Sequence, residues 1–382
     1  MKSVIQEIFQ RHFEAYRKTR KLPVRVLKAA EAIAQCRTAE LGGHVQKCPE
    51  GHVERVWYNS CKHRACPVCA FLEIKKWVRK QLGRLLDCDY YHTIFTIPWE
   101  LNVLWAYNRR AFTNLLFAAA WGSLKELLAD GKYLGALPGV LASFHSWAQT
   151  LWVHPHVHLL VTGGGMTPDR RWVRVQDEFL LPSRVLSAKF RGKFLALLRQ
   201  AVEKKKLTLP PDLSVQQSLN LFNKLGRSKW HVMIMPPYRH GRGVVQYLGW
   251  YVRGGPVSNR RVTADGEDGI QLRYKDETRT QTLSMRLAIP EFLSRLIRHI
   301  PETGVHLNRG YGLFAPGKRA ELEAARALLG QLPVTEEEQL TWQVACAQAG
   351  PEHPELCPVC GRALIRVDLS PTGLSPPCQV AA

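Results

Sequence analysis

The segment Trp152-Val153-His154-Pro155-His156-Val157-His158-Leu159-Leu160-Val161 reads as a β-strand of apolar residues interrupted by imidazoles. Side chains alternate faces along a strand, so His156 and His158 point the same way. Two imidazoles on one face of a rigid strand can seat a divalent cation. A third ligand is expected from an adjacent strand. His145, in Phe144-His145-Ser146-Trp147-Ala148-Gln149, is the candidate, and Gln149, on the same face, is its alternative. At His154 the following Pro155 is expected to bend the chain away. Further on, Tyr247 and Tyr251 are four residues apart in a segment of helical character. That spacing places both phenols on one helix face, about 6 Å apart along the axis. A histidine-held cation and paired phenols point to tyrosine attack on a phosphodiester.

The rest of the composition fits a polyanionic partner. The 382 residues include 53 Lys and Arg against 32 Asp and Glu, a formal charge of +21. The basic residues are scattered among tryptophans and tyrosines able to stack on bases, which favours nucleic acid over a basic tail. Residues 1–21 lack the apolar centre of a signal peptide, and no run approaches the roughly 18 apolar residues of a membrane span. The expectation is a cytoplasmic, nucleoid-associated protein with no membrane partner.

Apolar periodicity outlines an α+β chain. Residues 1–34 read as helices broken near Pro23, and residues 71–88 as a basic helix. Strands are expected over 90–97, 140–151, 156–162, 172–180 and 230–235, with Gly163-Gly164-Gly165 as a turn. Residues 101–130, 186–206, 243–252 and 289–300 read as helices, and 270–274 with 281–285 as a hairpin. Three domains follow: helices with a metal-stapled module (1–88), a catalytic domain (89–320), and a C-terminal appendage (321–382).

Five of the ten cysteines lie between Cys36 and Cys69, mixed with histidines. In a cytoplasmic chain such spacings favour metal over disulfides. Cys66-Pro67-Val68-Cys69 is a zinc knuckle, and Cys48 with His52 is its expected matching pair. Cys36, His44, Cys61 and His63 would make a second site, for one or two structural zinc ions. The module would present Lys62, Arg64 and the following helix to DNA. Cys357-Pro358-Val359-Cys360-Gly361 is half of a zinc ribbon with no convincing second pair; Cys346 and Cys378 are the cysteines nearest in sequence. Arg253, Asn259, Arg260 and Arg261, just past the paired tyrosines, are candidate phosphate contacts.

These residues resemble the rolling-circle transposases of the insertion-sequence 91 family, within the HUH endonuclease superfamily. The match runs in order through Leu41-Gly42-Gly43-His44, Tyr58-Asn59-Ser60-Cys61, Cys66-Pro67-Val68-Cys69, His145-Ser146-Trp147 and His154-Pro155-His156-Val157-His158. It continues through Gly163-Gly164-Gly165, Tyr247-Leu248-Gly249-Trp250-Tyr251, Val257-Ser258-Asn259-Arg260 and Tyr311-Gly312-Leu313-Phe314, covering roughly residues 1–320. The resemblance implies a ferredoxin-like (RRM-like) antiparallel sheet with the histidines on a central strand and Phe95-Thr96-Ile97 on the strand beside it. It also implies Mg2+ or Mn2+ at the active site, cleavage of single-stranded DNA at element ends through 5′-phosphotyrosine intermediates, and one-ended transposition. The family has a cysteine near Gly51, where this chain offers His52. It commonly has a histidine where Ala65 stands, so His63 is the substitute. Gly249 and Trp250 are unusual in the tyrosine helix; the glycine costs roughly 1 kcal/mol relative to alanine and would let the two tyrosines move.

Three other readings share parts of the pattern. A relaxase or replication initiator of the same superfamily would use the same chemistry. A histidine triad nucleotide hydrolase would use a histidine nucleophile at His154-x-His156-x-His158 and no metal. A non-catalytic zinc-finger protein would leave the histidine strand unexplained.

Overall fold

The structure, a computed structural model, describes residues 3–252, 255–266, 269–276, 280–334, 340–348 and 353–369; of Ala70, Tyr247, Leu248, Trp250, Tyr251, Val252 and Asp265 it describes the backbone. Helices α1 (Val4–Lys18) and α2 (Val24–Gln35) open the chain, followed by the hairpin β1 (Gly43–Lys47) and β2 (Glu54–Tyr58) and by helix α3 (Ala70–Leu82). Strand β3 (Tyr90–Thr96) leads through α4 (Asn102–Tyr107) and α5 (Arg109–Ala129) into the hairpin β4 (Leu137–Trp147) and β5 (Val153–Met166), with β6 (Trp172–Arg174) beside it. Helices α6 (Ser183–Glu203) and α7 (Val215–Arg227) precede β7 (Val232–Ile234) and α8 (Arg242–Val252). A meander of β8 (Val262–Asp265), β9 (Gly269–Lys275) and β10 (Thr282–Ala288) leads to α9 (Ile289–Ile297). The chain then continues through β11 (Asn308–Gly312), α10 (Arg319–Leu328), α11 (Trp342–Ala347) and β12 (Ile365–Leu369). No described helix is long and apolar enough to cross a membrane.

The central sheet is antiparallel, in the order β11-β4-β5-β3-β7, with β6 on the end of β5. Strict alternation divides its faces. Phe95, Phe144, Val157, Leu159 and Val161 pack beneath α5, α6 and α7, where Phe112, Phe190, Phe194 and Phe222 fill the core. Leu141, Leu160 and Tyr90 face the other way, towards Val244 and Val245 of α8 and Leu322 of α10. The histidines of β4 and β5 share the parity of Leu141 and Leu160. They therefore lie on the face that carries α8.

A second core joins the chain's beginning to its later part. Ile5, Phe9 and Ile33 of α1 and α2 pack with Ile270, Leu272, Phe292 and Leu293, and Cys36 and Cys66 belong to the same cluster. Helices α1 and α2 thus share a core with the β8–β10 meander and α9. Leu322 and Ala325 pack in the core under α8, and β12 pairs with β1.

Two local expectations are revised. Gly163-Gly164-Gly165 is strand, not turn: a Cβ at Gly164 would sit 2.6 Å from the Val173 carbonyl oxygen, so glycine lets β6 close on β5. Of residues 172–180, three are strand. Helix α7 was not anticipated, although Ser214 and Gln217 form a capping box at its start.

The β4–β5 turn is fastened by three side chains donating to three consecutive carbonyls. Arg261 donates to Gln149 O, Arg295 to Thr150 O at 3.0 Å, and His299 Nε2 to Leu151 O at 3.0 Å. His299 Nδ1 accepts from Ser146 Oγ at 3.0 Å, so the ring must be neutral to make both bonds. Burial pushes its pKa down to about 4. The folded value lies below the unfolded one, so this stability is complete above about pH 6.5 and is lost as pH falls towards the folded value. Wild type is expected to lose about 3 kcal/mol more than His299→Gln across that window. Urea unfolding of both proteins at pH 7 and pH 4.5 measures the difference.

Candidate active site

His145 on β4 and His156 on β5 are cross-strand partners, and His158 lies two residues further on the same face. One ring nitrogen from each lies within 4.8 Å of the others, and all three side chains are buried. Burial pushes His145 well below the ordinary imidazole range, with the neighbouring His156 and His92 adding to the shift, so it is held neutral. Neutral imidazoles are the form that binds a cation, and three nitrogens converging from a rigid sheet suit a divalent ion with open coordination positions.

Neighbouring groups orient the rings. His156 Nδ1 donates to His154 O at 2.6 Å, which leaves the Nε2 lone pair for a cation. His158 Nδ1 shares a 2.8 Å hydrogen bond with His92 Nε2 on β3. His145 stacks on Trp147 with ring centroids 4.9 Å apart. His92 was missed in the sequence. Its signal was parity: in Tyr90-x-His92-x-Ile94, register places Ile94 opposite His158 and His92 one step along on the same face.

The histidines open into a cleft whose walls include Gln149, Arg261 and Lys275. The Gln149 side chain accepts from Lys275 N at 3.3 Å, so this alternative ligand braces the meander against the turn. His154 lines the same cleft, outside the three-histidine group.

Tyr247 and Tyr251 lie on α8, and their side chains are outside the described residues. Two features place the helix itself. Val244 and Val245 seat its first turns on the sheet face that carries the histidines. Gly249, between the tyrosines, meets α3: a Cβ there would lie 2.3 Å from Val78 Cγ2, with Ile74 and Trp77 next. The expected flexibility at Gly249 gives way to a packing requirement, since only a residue without a side chain lets the two helices approach so closely. Gly249→Val is expected to destabilise the protein by about 1–3 kcal/mol, because the β-branched Val78 cannot swing aside. Urea midpoints of the single variant and of Gly249→Val with Val78→Ala test this, the second restoring part of the loss.

The candidate phosphate contacts divide. Asn259 Oδ1 accepts from Ser3 Oγ at 2.7 Å, and Arg64 donates to Val305 O at 3.1 Å. Arg261 bonds the carbonyls of Gln149, Arg273 and Pro256. These three are built into the fold, because guanidinium and amide groups satisfy buried carbonyls and hydroxyls as readily as phosphates. Lys62 and Arg260 stay exposed, and Arg253 lies outside the described residues.

The metal-ligating residues of the head group differently from the expected pairing. Cys36, Cys61, Cys66 and Cys69 converge in one cluster, and Cys48 and His52 meet Cys357 and Cys360 in another. The β1–β2 hairpin explains why Cys48 and His52 do not join Cys66 and Cys69: four residue steps of strand, about 14 Å, separate its two ends. His44 is buried on β1 opposite Trp57 and Asp368, and His63 Nδ1 accepts from Ala65 N at 3.1 Å. Neither belongs to a cluster. In the four-cysteine cluster Cys69 lies 3.1 Å from Cys36 and 3.4 Å from Cys61, sulfur to sulfur. Hydrogen bonds from the other three thiols pull Cys69 well below an ordinary thiol, towards the thiolate that zinc binds.

Comparison with known proteins accounts for both halves. Residues 139–321 match a family described as "Putative transposase", and residues 8–97 match one described as "Transposase zinc-binding domain". Among curated proteins, the chain is 35% identical over 345 residues to "Putative transposase y4qJ" of Sinorhizobium fredii, covering 88% of this chain and 86% of that one. It is 30% identical over 291 residues to "Transposase for insertion sequence element IS801" of Pseudomonas savastanoi pv. phaseolicola, covering 73% of this chain and 68% of that one. No solved structure matches.

Proposed function

Because the chain belongs to the insertion-sequence 91 family of transposases, which are rolling-circle transposases with a zinc-binding domain, we propose that it nicks and rejoins single-stranded DNA through tyrosine attack at the three-histidine centre. The observation that carries this reading is the convergence of His145, His156 and His158 on the sheet face that also carries the Tyr247–Tyr251 helix. The succession strand–helix–strand–strand–helix–strand (β3, α5, β4, β5, α6, β7) supports a ferredoxin-like reading of this layer. The place of action would be the cytoplasm, on chromosomal DNA.

The three imidazoles would hold Mg2+ or Mn2+, which when bound polarises the scissile phosphate and neutralises charge that develops there. His156 and His158, fixed by the His154 carbonyl and by His92, hold that position without reorganising. Lys275 at the cleft wall and the exposed Lys62 and Arg260 would draw the DNA backbone in. A phenol of α8 attacks phosphorus, the bond to the 3′ oxygen breaks, and a 5′-phosphotyrosine with a free 3′-hydroxyl results. The phosphodiester energy is kept in the protein–DNA bond, so rejoining needs no nucleotide cofactor. The second tyrosine allows a second strand to be captured before the first is released.

Incubation with end-labelled single-stranded oligonucleotides and Mn2+ tests the reading. A covalent adduct at the 5′ end, a polymerase-extendable 3′ end and suppression by EDTA are expected. An EDTA-insensitive adduct that depends on His156 would instead identify a histidine nucleophile, and binding without cleavage a finger protein.

A further inference from the structure

We infer that Cys48, His52, Cys357 and Cys360 form a second, split zinc site that clasps the C-terminal part of the chain onto the head, independently of the DNA chemistry proposed above. The zinc-binding family match ends at residue 97 and includes half of these ligands. The other half comes from a knuckle 312 positions away, counted from Cys48 to Cys360.

Both halves are shaped for a metal. In Cys48-Pro49-Glu50-Gly51-His52 the Gly51 N–H donates to Cys48 O at 3.0 Å, and Gly51 takes a φ of +76°. In Cys357-Pro358-Val359-Cys360-Gly361 the Gly361 N–H donates to Cys357 O at 2.9 Å with a φ of +71°. The two turns close alike and face each other. Cys48 Sγ lies 3.6 Å from His52 Nδ1 and 3.6 Å from Cys360 Sγ, and all four ligand atoms fall within 4.8 Å. Tetrahedral zinc with ordinary bond lengths requires sulfur–sulfur edges of about 3.8 Å and sulfur–nitrogen edges of about 3.6 Å. Three cysteines and a histidine, two of them buried, form a common structural zinc set.

The segment needs such a fastening. Strand β12 pairs with β1 from Gly43↔Leu369 to Lys47↔Ile365, but its side chains bring little to a core. Ile365 is 55% exposed and Val367 50%, and Val359 of the knuckle 68%. Among the described residues its other fastenings include a backbone ladder, a 2.9 Å bond from Arg55 to Pro354 O and an exposed Arg362–Glu50 ion pair, while ahead of it Leu340 and, in α11, Ala345 are buried. A surface ion pair contributes little. Closing a loop of this length opposes folding, and metal binding would add to the β1–β12 ladder in offsetting it.

The test is metal content of the full chain, purified without chelator and measured by mass spectrometry. Two zinc ions per chain are expected in wild type. Cys357→Ser with Cys360→Ser should retain one, as should Cys48→Ser with His52→Ala. The four substitutions together should also leave one, because both halves hold the same ion. Residues 353–369 should become protease-sensitive in each. Retention of two ions by either double variant, or loss of both in the fourfold variant, overturns the proposal. If the variants do not fold, cobalt titration of wild type decides. Two tetrahedral centres, one with four thiolates and one with three and an imidazole, are expected, and a single tetrathiolate spectrum overturns the clasp.

Discussion

Replacing Tyr247 and Tyr251 together by phenylalanine is expected to remove covalent protein–DNA adducts altogether, a fall on the order of a thousandfold or more in strand cleavage. The substitution deletes one oxygen from each ring and leaves size and helix propensity almost unchanged. Single-stranded DNA binding, zinc content and unfolding midpoint should therefore match wild type. Each single substitution should behave differently from the pair. One phenol still takes one 5′ end and a 3′-hydroxyl can still displace it, so adduct and simple rejoining persist, but no phenol is left to cleave a second strand while the first is held, and products that need both strands held at once disappear. Denaturing gels of protein bound to labelled oligonucleotide separate the two outcomes. Persistence of adducts in the double variant would move the nucleophile elsewhere.

The histidine face carries the other large effect. His156→Ala or His158→Ala removes one of three nitrogens from a site with no carboxylate among its three described ligands. Loss of several kcal/mol of charge stabilisation corresponds to about a hundredfold to ten-thousandfold slower cleavage. DNA binding in EDTA should persist, because it rests on basic residues outside the group. His92→Ala acts through the orientation of His158 and is expected to weaken Mn2+ binding by about tenfold to a hundredfold, with cleavage partly restored at high Mn2+. Calorimetric Mn2+ titration of the three variants ranks them. Equal affinity in all three would remove the metal from this site.

The residues legible in the sequence were those whose meaning is local. Alternation through Val157, His158, Leu159 and Leu160 fixed which side chains share a face, and the interval from His145 to His156 suited a hairpin, whose register makes them partners. Helix α8 was legible from its apolar spacing and the glycines after it. What failed depended on distant partners. The Cys48–His52 pair has its complement at Cys357 and Cys360, a relation no spacing reveals. Asn259 and Arg64, proposed as phosphate contacts, also bond Ser3 and the Val305 carbonyl, partners that no spacing reveals. The role of Gly249 depends on Val78, a residue from another helix. The three glycines at 163–165 were misread because a strand that must accept a close neighbour uses the same residue as a turn.

The pairing of Gly43 with Leu369 also sets an order of events during synthesis. While the ribosome is still making the nuclease core, β1 has β2 on one side and an open edge on the other, and Cys48 and His52 wait without their complement. A message cut short before Cys357 would yield a chain with every proposed catalytic side chain and a sticky, unfinished amino-terminal ribbon. Emergence of residues 365–369 from the ribosome is thus the step that seals the edge.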